Sequence, residues 1–461
     1  MIATIRTGKA AATTPQRQIE GRAMRLAVPF SILALAATAL TAQEPARGTA
    51  AALTLLDALR IGRERGIGAV AARNTALAAA ARTGQRRADL LPNIAGAASW
   101  TRQTLNLDEF GLSLPGTPPV TPDFNVYRLQ LGVRQTLFDA SVLARVRAAR
   151  DNAVAAGLDA RSAADLSGAL AALAYLRVLG AEETVRARLQ DSTVAASLLL
   201  QARRLVEAGV SPTIDRTRSE VSFAAVRTQL EVARNVLGRT RLDLVRALDV
   251  PADTALVLND SLVAPLFDLP RSPDAASAFA REHRTEFAAE RARTESQRRS
   301  LSAIRAENLP SISLGGQYTE SGRQTSALRG TYNVTLGIAV PILDGLRRQE
   351  RAREQEALLE LQRTREHDVA RQIDTEVREA LLDLSSAQQQ VAIAGERVGL
   401  ADTELAQAQQ RFETGVAGSV ETTNAQTSVI AAHDALIQAR LAYATARLAA
   451  YRALGLLDQL R

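Results

Sequence analysis

The sequence predicts an α+β membrane protein in which long coiled-coil helical hairpins carry four β-strands, in a chain built from two copies of one unit. Three observations carry this expectation. The chain repeats itself a little over 200 residues apart, four segments alternate apolar and polar residues, and two stretches keep a seven-residue apolar repeat over many turns. Leu91-Pro92-Asn93-Ile94 returns as Leu309-Pro310-Ser311-Ile312, and Tyr127-Arg128-Leu129-Gln130-Leu131-Gly132 returns as Tyr332-Asn333-Val334-Thr335-Leu336-Gly337. From Asp139 to Gly209 is 70 residues and from Asp344 to Gly415 is 71. So long a unit is a duplicated half-protein rather than a solenoid repeat.

The first element is a leader. Residues 26–40 form an apolar run between Met24-Arg25 and Thr41-Ala42-Gln43, which reads as a secretory signal peptide over 1–42, cleaved near Ala42 and with Met24 as a candidate start. The run is short for a bilayer span, and no later segment is expected to reach the ~18 apolar residues of a spanning helix. The remainder divides into a first repeat, 43–271, and a second, 272–461. Of the net charge of +7, the leader holds +4, and about +3 is left with no basic block, so nucleic-acid binding has no support. Aromatic residues make up only 3% of the chain, too few for a large globular core, and the absence of cysteine excludes disulfides and a lipid-modified N-terminal cysteine.

The strands follow, at about 93–105 and 124–137 in the first repeat and 310–320 and 331–342 in the second. Ile312, Leu314, Gly316 and Tyr318 alternate with Ser311, Ser313, Gly315 and Gln317. Tyr332, Val334, Leu336, Ile338, Val340 and Ile342 alternate with Asn333, Thr335, Gly337 and Ala339. Tyr127, Leu129, Leu131 and Val133 likewise oppose Arg128, Gln130, Gly132 and Arg134, and the strand from Asn93 is weaker. Period-two patterning gives one apolar and one polar face, and ~9–12 residues suffice to cross a bilayer when tilted. Trp100, Tyr127, Tyr318 and Tyr332 all fall away from the Pro92 and Pro310 ends, as half of an interfacial aromatic girdle would. Four strands cannot close a barrel, and lipid does not tolerate open edges, so a membrane reading requires subunits to pool strands.

The helices come next. Before Gly415, one heptad position holds Val377, Leu384, Val391, Val398, Leu405 and Phe412, and the position three later holds Ala380, Ala387, Ala394, Ala401 and Ala408. Before Gly209 the phase recurs as Val178, Val185, Ser192, Leu199 and Val206 with Ala174, Ala181, Ala195 and Ala202, where Arg188 breaks the alanine row. This pattern specifies closely approaching, coiled-coil-like helices of some 65–70 residues, or ~100 Å. Gly209 and Gly415 stand where a left-handed residue ends a helix, and Ser211-Pro212 and Gly418-Ser419 supply restart signals. Each repeat therefore ends in a helical hairpin whose turn points away from the strands.

Nothing in the chain points to catalysis. His283, His367 and His433 are isolated in charged helical contexts, and there is no His-x-x-x-His pair, phosphate loop or nucleophile motif. No cofactor or metal site is predicted. Both methionines, Met1 and Met24, lie in the leader, so relay of a soft metal along the mature chain is disfavoured.

Strand pairs joined to ~100 Å helical hairpins, duplicated behind a signal peptide, resemble the TolC family of outer-membrane efflux proteins. The resemblance covers essentially the whole mature chain. It opens with Leu53-Thr54-Leu55-Leu56-Asp57-Ala58-Leu59 and runs through Phe138-Asp139 and Leu343-Asp344. It includes the two turns, Glu207-Ala208-Gly209-Val210 and Glu413-Thr414-Gly415-Val416. It implies a homotrimer with a twelve-strand barrel in outer-membrane lipid, an α-barrel through the periplasm, and an equatorial collar around residues 250–275. It further implies a passive exit duct joined by a periplasmic adaptor to an inner-membrane transporter of the RND, ABC or MFS type.

The resemblance also assigns sites. The periplasmic entrance and selectivity positions fall on Glu421 and Asn424, of which only Glu421 is charged. Three Glu421 carboxylates would crowd the pore axis and attract cations. The entrance gate falls on Asp215, Phe412 and Ala417; neither Phe412 nor Ala417 can pair with a carboxylate, so the closed entrance is expected to be held differently and more loosely. The adaptor would dock at Gly209, Val210 and Ser211 and at Gly415, Val416 and Ala417. Two other readings stay open, a soluble periplasmic adaptor and a structural coiled-coil protein; the first has one hairpin where this chain has two, and the second needs no alternating strands.

Overall fold

A computed structural model describes residues 52–111, 116, 118–254, 256–262 and 272–457; the signal peptide and residues 255 and 263–271 of the expected collar lie outside them. The described residues begin with a short strand, β1 (Ala52–Leu53), and helix α1 (Leu55–Arg65), whose first turn is closed by a capping box. Asp57 N–H donates to Thr54 Oγ1 at 3.2 Å and Thr54 N–H to Asp57 Oδ2 at 3.3 Å. Helix α2 (Ile67–Ala88) leads into the hairpin β2 (Asn93–Gln103) and β3 (Phe124–Phe138), then into α3 (Ala140–Glu207) and α4 (Thr213–Ala247). The second repeat follows β4 (Val257–Leu258) and opens with α5 (Pro273–His283). It runs α6 (Thr285–Ala306), β5 (Ser311–Gly322), β6 (Arg329–Ala339), α7 (Arg347–Glu413) and α8 (Ser419–Ala453).

The long helices have the expected length. Helix α3 spans 68 residues and α7 spans 67, each ~100 Å at 1.5 Å per residue. Near the strands α3 packs on α2 and α6, where Thr83 Oγ1 donates to the Ala149 carbonyl at 3.1 Å and Ser296 Oγ to the Ala148 carbonyl at 2.9 Å. Farther out α3 packs on α4 and α8, and α7 on α8. The alanine rows form buried seams: Ala380, Ala387, Ala394, Ala401 and Ala408 are all buried, as are Ala174, Ala181, Ala195 and Ala202. One 18-residue stretch of α3 is long and apolar enough to cross a membrane, contrary to the sequence expectation. Its window is 56% buried against neighbouring helices, which is the behaviour of a core helix.

The core forms where the short elements meet the rods. Tyr175, with no exposed surface, packs with Leu59, Leu244, Leu248, Leu262 and Tyr451. Its hydroxyl lies 2.9 Å from both the Leu53 carbonyl and Asp260 Oδ2, and Asp260 also accepts the Leu55 N–H at 2.6 Å. Burial and then Asp260 raise the Tyr175 pKa, so it remains a neutral donor. The α1–α3 crossing relies on two glycines. A Cβ on Gly62 would stand 2.6 Å from Ala171 Cβ, and one on Gly168 would stand 2.8 Å from the Leu59 carbonyl. A second core, of Ile373, Val377, Ala380 and Leu384, gathers α5 and the end of α8 onto α7.

The two hairpins join into one antiparallel sheet of order β2-β3-β5-β6, with β3 paired to β5 across the repeats and β2 and β6 as open edges. β6 ends at Ala339 rather than 342: Pro341 has no N–H to give a ladder, and Ile342 beyond it is 93% exposed. β2 likewise ends at Gln103, two residues short of the expected limit. The two copies also differ at the strand-to-helix junction. Asp139 caps α3 by accepting the Ser141 N–H at 2.8 Å, whereas Asp344 holds Arg348 through its N–H at 3.1 Å and its Nε at 2.7 Å.

Candidate functional site: the barrel sheet and the helical tips

Directly opposed residues in an antiparallel pair share a face, so the register fixes the two faces of the sheet. Ile94, Gly96, Ala98 and Trp100 oppose Val133, Leu131, Leu129 and Tyr127. On the other side of β3, Leu131 opposes Tyr318, and Ile312, Leu314, Gly316 and Tyr318 oppose Ile338, Leu336, Val334 and Tyr332. This face is apolar and open: Tyr332, Val334, Leu336 and Ile338 are 83%, 71%, 66% and 68% exposed. A contiguous exposed apolar ladder of this size marks a surface covered by something other than water. All four predicted girdle aromatics lie on it as two cross-strand pairs, Trp100 with Tyr127 and Tyr318 with Tyr332. One polar end of each pair is hydrogen-bonded, Trp100 Nε1 donating to Asn125 Oδ1 at 3.2 Å and Tyr318 Oη to Glu320 Oε1 at 3.0 Å.

At the far ends of the hairpins the two turns are built alike. Gly209 and Gly415 take φ values of 72° and 70°, which spares the steric cost an L side chain would meet there. Val210 N–H and Ser211 N–H both donate to the Leu205 carbonyl, at 2.9 and 3.1 Å. Val416 N–H and Ala417 N–H donate to the Arg411 carbonyl at the same two distances. These bonds satisfy the orphan carbonyls of each helix end. Val210 and Val416 stand 61% and 69% exposed, and Ile214 and Val420, five residues after each glycine, are 50% and 47% exposed. Sequence reading missed Ile214 and Val420, although their equal offset from the two glycines was a usable signal.

The sixth residue after each glycine shows how the copies diverge. Asp215 is 4% exposed and joins the two tips: Ser419 Oγ, itself fully buried, donates to its Oδ1 at 2.6 Å, and Ser211 Oγ donates to its Oδ2 at 3.1 Å. Arg218 Nη1 stands 3.8 Å away. Phe412 is buried and Ala417 half-buried, and neither approaches Asp215 with a polar side-chain atom. The carboxylate is thus held by Ser419, which the sequence marked only as part of a helix restart. Glu421, the equivalent of Asp215, is exposed and ion-paired to Arg411 Nε at 2.9 Å, where the first repeat has Leu205. Its charge is compensated inside the protomer, which opposes the crowding of bare carboxylates expected from sequence. Asn424 is exposed and lines a groove of about 480 Å³ between α4 and α8, of mixed character, with Thr217, Val221, Val420 and Thr427.

Arg188, which interrupts the alanine row, has partners that the sequence did not reveal. It is 7% exposed, its Nη1 donates to Asp191 Oδ2 at 2.7 Å, and its Nη2 pairs with Asp434 of α8. Burial raises the Asp191 pKa and Arg188 opposes that rise.

Among known proteins, the sequence pattern of the family described as outer membrane efflux protein matches residues 62–249 and 278–456. The chain belongs to the outer membrane efflux protein family. No functionally curated protein matches it in sequence. Several solved structures share the fold. The MtrE outer membrane channel of Neisseria gonorrhoeae, in its open state, is 20% identical with a TM-score of 0.73, covering 87% of this chain and 89% of that one. The outer membrane protein VceC of Vibrio cholerae is 17% identical at 0.74, covering 87% and 96%. CusC is 17% identical at 0.75, covering 90% and 95%. As a member of the outer membrane efflux protein family, the protein is a non-enzymatic outer-membrane channel of tripartite efflux systems and extends into the periplasm. Channels of this family are trimers that act with adaptors and inner-membrane pumps.

Proposed function

We propose that three copies of this chain pool their sheets into a twelve-strand barrel in outer-membrane lipid. Their helical hairpins then form a passive periplasmic duct that takes substrate from an inner-membrane pump of the RND, ABC or MFS type. The observation that carries this reading is the sheet itself: four strands, two open edges and an exposed apolar face with cross-strand aromatic pairs. Such a sheet satisfies its edge N–H and C=O groups in lipid only by joining others. The soluble-adaptor and coiled-coil readings leave that face without a purpose.

At the periplasmic end, the Glu421–Arg411 pair and Asn424 set the polarity of the entrance, and Asp215 with Ser419 holds each protomer's two tips in register. The adaptor docks on the turns at Gly209-Val210-Ser211 and Gly415-Val416-Ala417, with Ile214 and Val420 widening each apolar spot. The double substitution Val210→Asp/Val416→Asp tests this reading, because both side chains are exposed and their loss leaves the protomer's own packing intact. Site-directed cross-linking to the periplasmic adaptor should fall by about tenfold or more while the trimer survives, since such exposed anchors carry most of a contact's energy. Undiminished cross-linking would place the adaptor elsewhere.

A further inference from the structure

The polar face of the sheet carries a one-sided charge. Arg128 stands opposite Ser321 and Ser321 opposite Arg329, so these two arginines flank one serine across three adjacent strands; Arg134, farther along β3, stands opposite Asn93 and Gly315. At ~4.8 Å per strand the Arg128 and Arg329 backbones are about 10 Å apart, and Arg134 lies about 20 Å along the strand. The other positions on this face are Ser, Thr, Asn, Gln, Gly, Ala, Val and aromatic residues, with no aspartate or glutamate. The strands' one acidic residue, Glu320, lies on the apolar face and accepts from Tyr318. Arg102, also on the apolar face, is paired with Asp123. Arg128, Arg134 and Arg329 are exposed and have no acidic partner among the described residues. Asp108 and Glu109 lie in the loop beyond the strand ends.

We propose that the bore of the barrel is an anion-favouring passage, and that the solutes it passes most readily carry carboxylate, phosphate or sulfonate groups. This rests on the channel reading, which turns the polar face inward. Each protomer contributes Arg128 and Arg329 at one level and Arg134 at a second. Guanidinium stays protonated at any working pH, and a narrow bore with low-dielectric walls focuses the field of such rings. Even in bulk water a unit charge ~10 Å away favours a passing anion about twofold, and several act together here. Forked donors facing open space also suit planar or tetrahedral oxyanions.

The test is the reversal potential of the full-length protein in planar bilayers under a potassium chloride gradient at low ionic strength. Arg128→Gln/Arg329→Gln should lower the chloride-to-potassium permeability ratio about threefold or more. Arg102→Gln, on the opposite face, should leave it unchanged. A conducting double variant with the wild-type ratio would overturn the proposal, as would an equal shift from Arg102→Gln. A folded oligomer with no conductance would overturn the channel reading, and the proposal with it.

Discussion

Replacing Arg188 with alanine is expected to destabilise the helical body by about 3–5 kcal/mol, the cost of removing one partner from a buried ion pair. Arg188 and Asp191 are 7% and 5% exposed, so alanine leaves a carboxylate with neither water nor a cation. Asp434, with a half-exposed side chain, can turn to solvent and loses little. His433 Nδ1, buried nearby, has no hydrogen-bond partner among the described residues. The double variant Arg188→Met/Asp191→Leu removes both charges and should recover most of the loss. Denaturant unfolding of the detergent-solubilised protein reads both. Equal stability of Arg188→Ala and wild type would show that the cluster is hydrated, contrary to its burial.

The second large effect is expected at the tips. Asp215→Ala removes the acceptor for Ser419 Oγ and Ser211 Oγ, and Ser419 has no exposed surface through which water could replace it. An orphaned buried hydroxyl costs about 1–3 kcal/mol, and here the cost is confined to two turns that little else holds. Limited proteolysis at 208–212 and 414–418 should rise about tenfold, with the distant core around Tyr175 unaffected. Ser419→Ala takes away a donor and leaves Asp215 with Ser211 and Arg218, so its effect should be smaller. Because the tie lies within one protomer, loosening it changes the shape of a tip before it changes contacts between subunits. Unaltered cleavage in Asp215→Ala would mean that the bond does not hold the tips.

Most of the architecture was legible because it is written in local periodicities. A heptad with an alanine row announces a long paired helix, and alternation announces strands, whatever their distant partners are. The turns were legible because only glycine takes a φ near 70° without strain. What could not be read were pairings across the duplication. Nothing local to β3 says that it joins β5, and Ser419 lies 204 residues from Asp215. Arg188 looked like a defect in a heptad because its compensating Asp434 lies 246 residues away on α8. Arg411 hides in the same way: as a helical arginine it is unremarked until Glu421 folds back beside it. The end of β6 was legible and was misread, since Pro341 forbids the extension to residue 342.

The duplication therefore builds a regular pipe, and the positions where its copies differ give the pipe its chemistry. Asp215 and Glu421 occupy one repeat position, yet one is a buried tie and the other an exposed ion pair. Arg128 and Arg134 of β3 have no charged counterparts in Asn333 and Ala339 of β6. The most direct test of the central claim is the mass of the detergent-extracted particle, measured by native mass spectrometry. A sheet of four strands with two open edges predicts three copies of the chain, stable in detergent and separable by heat. A water-soluble monomer would contradict the account at its foundation.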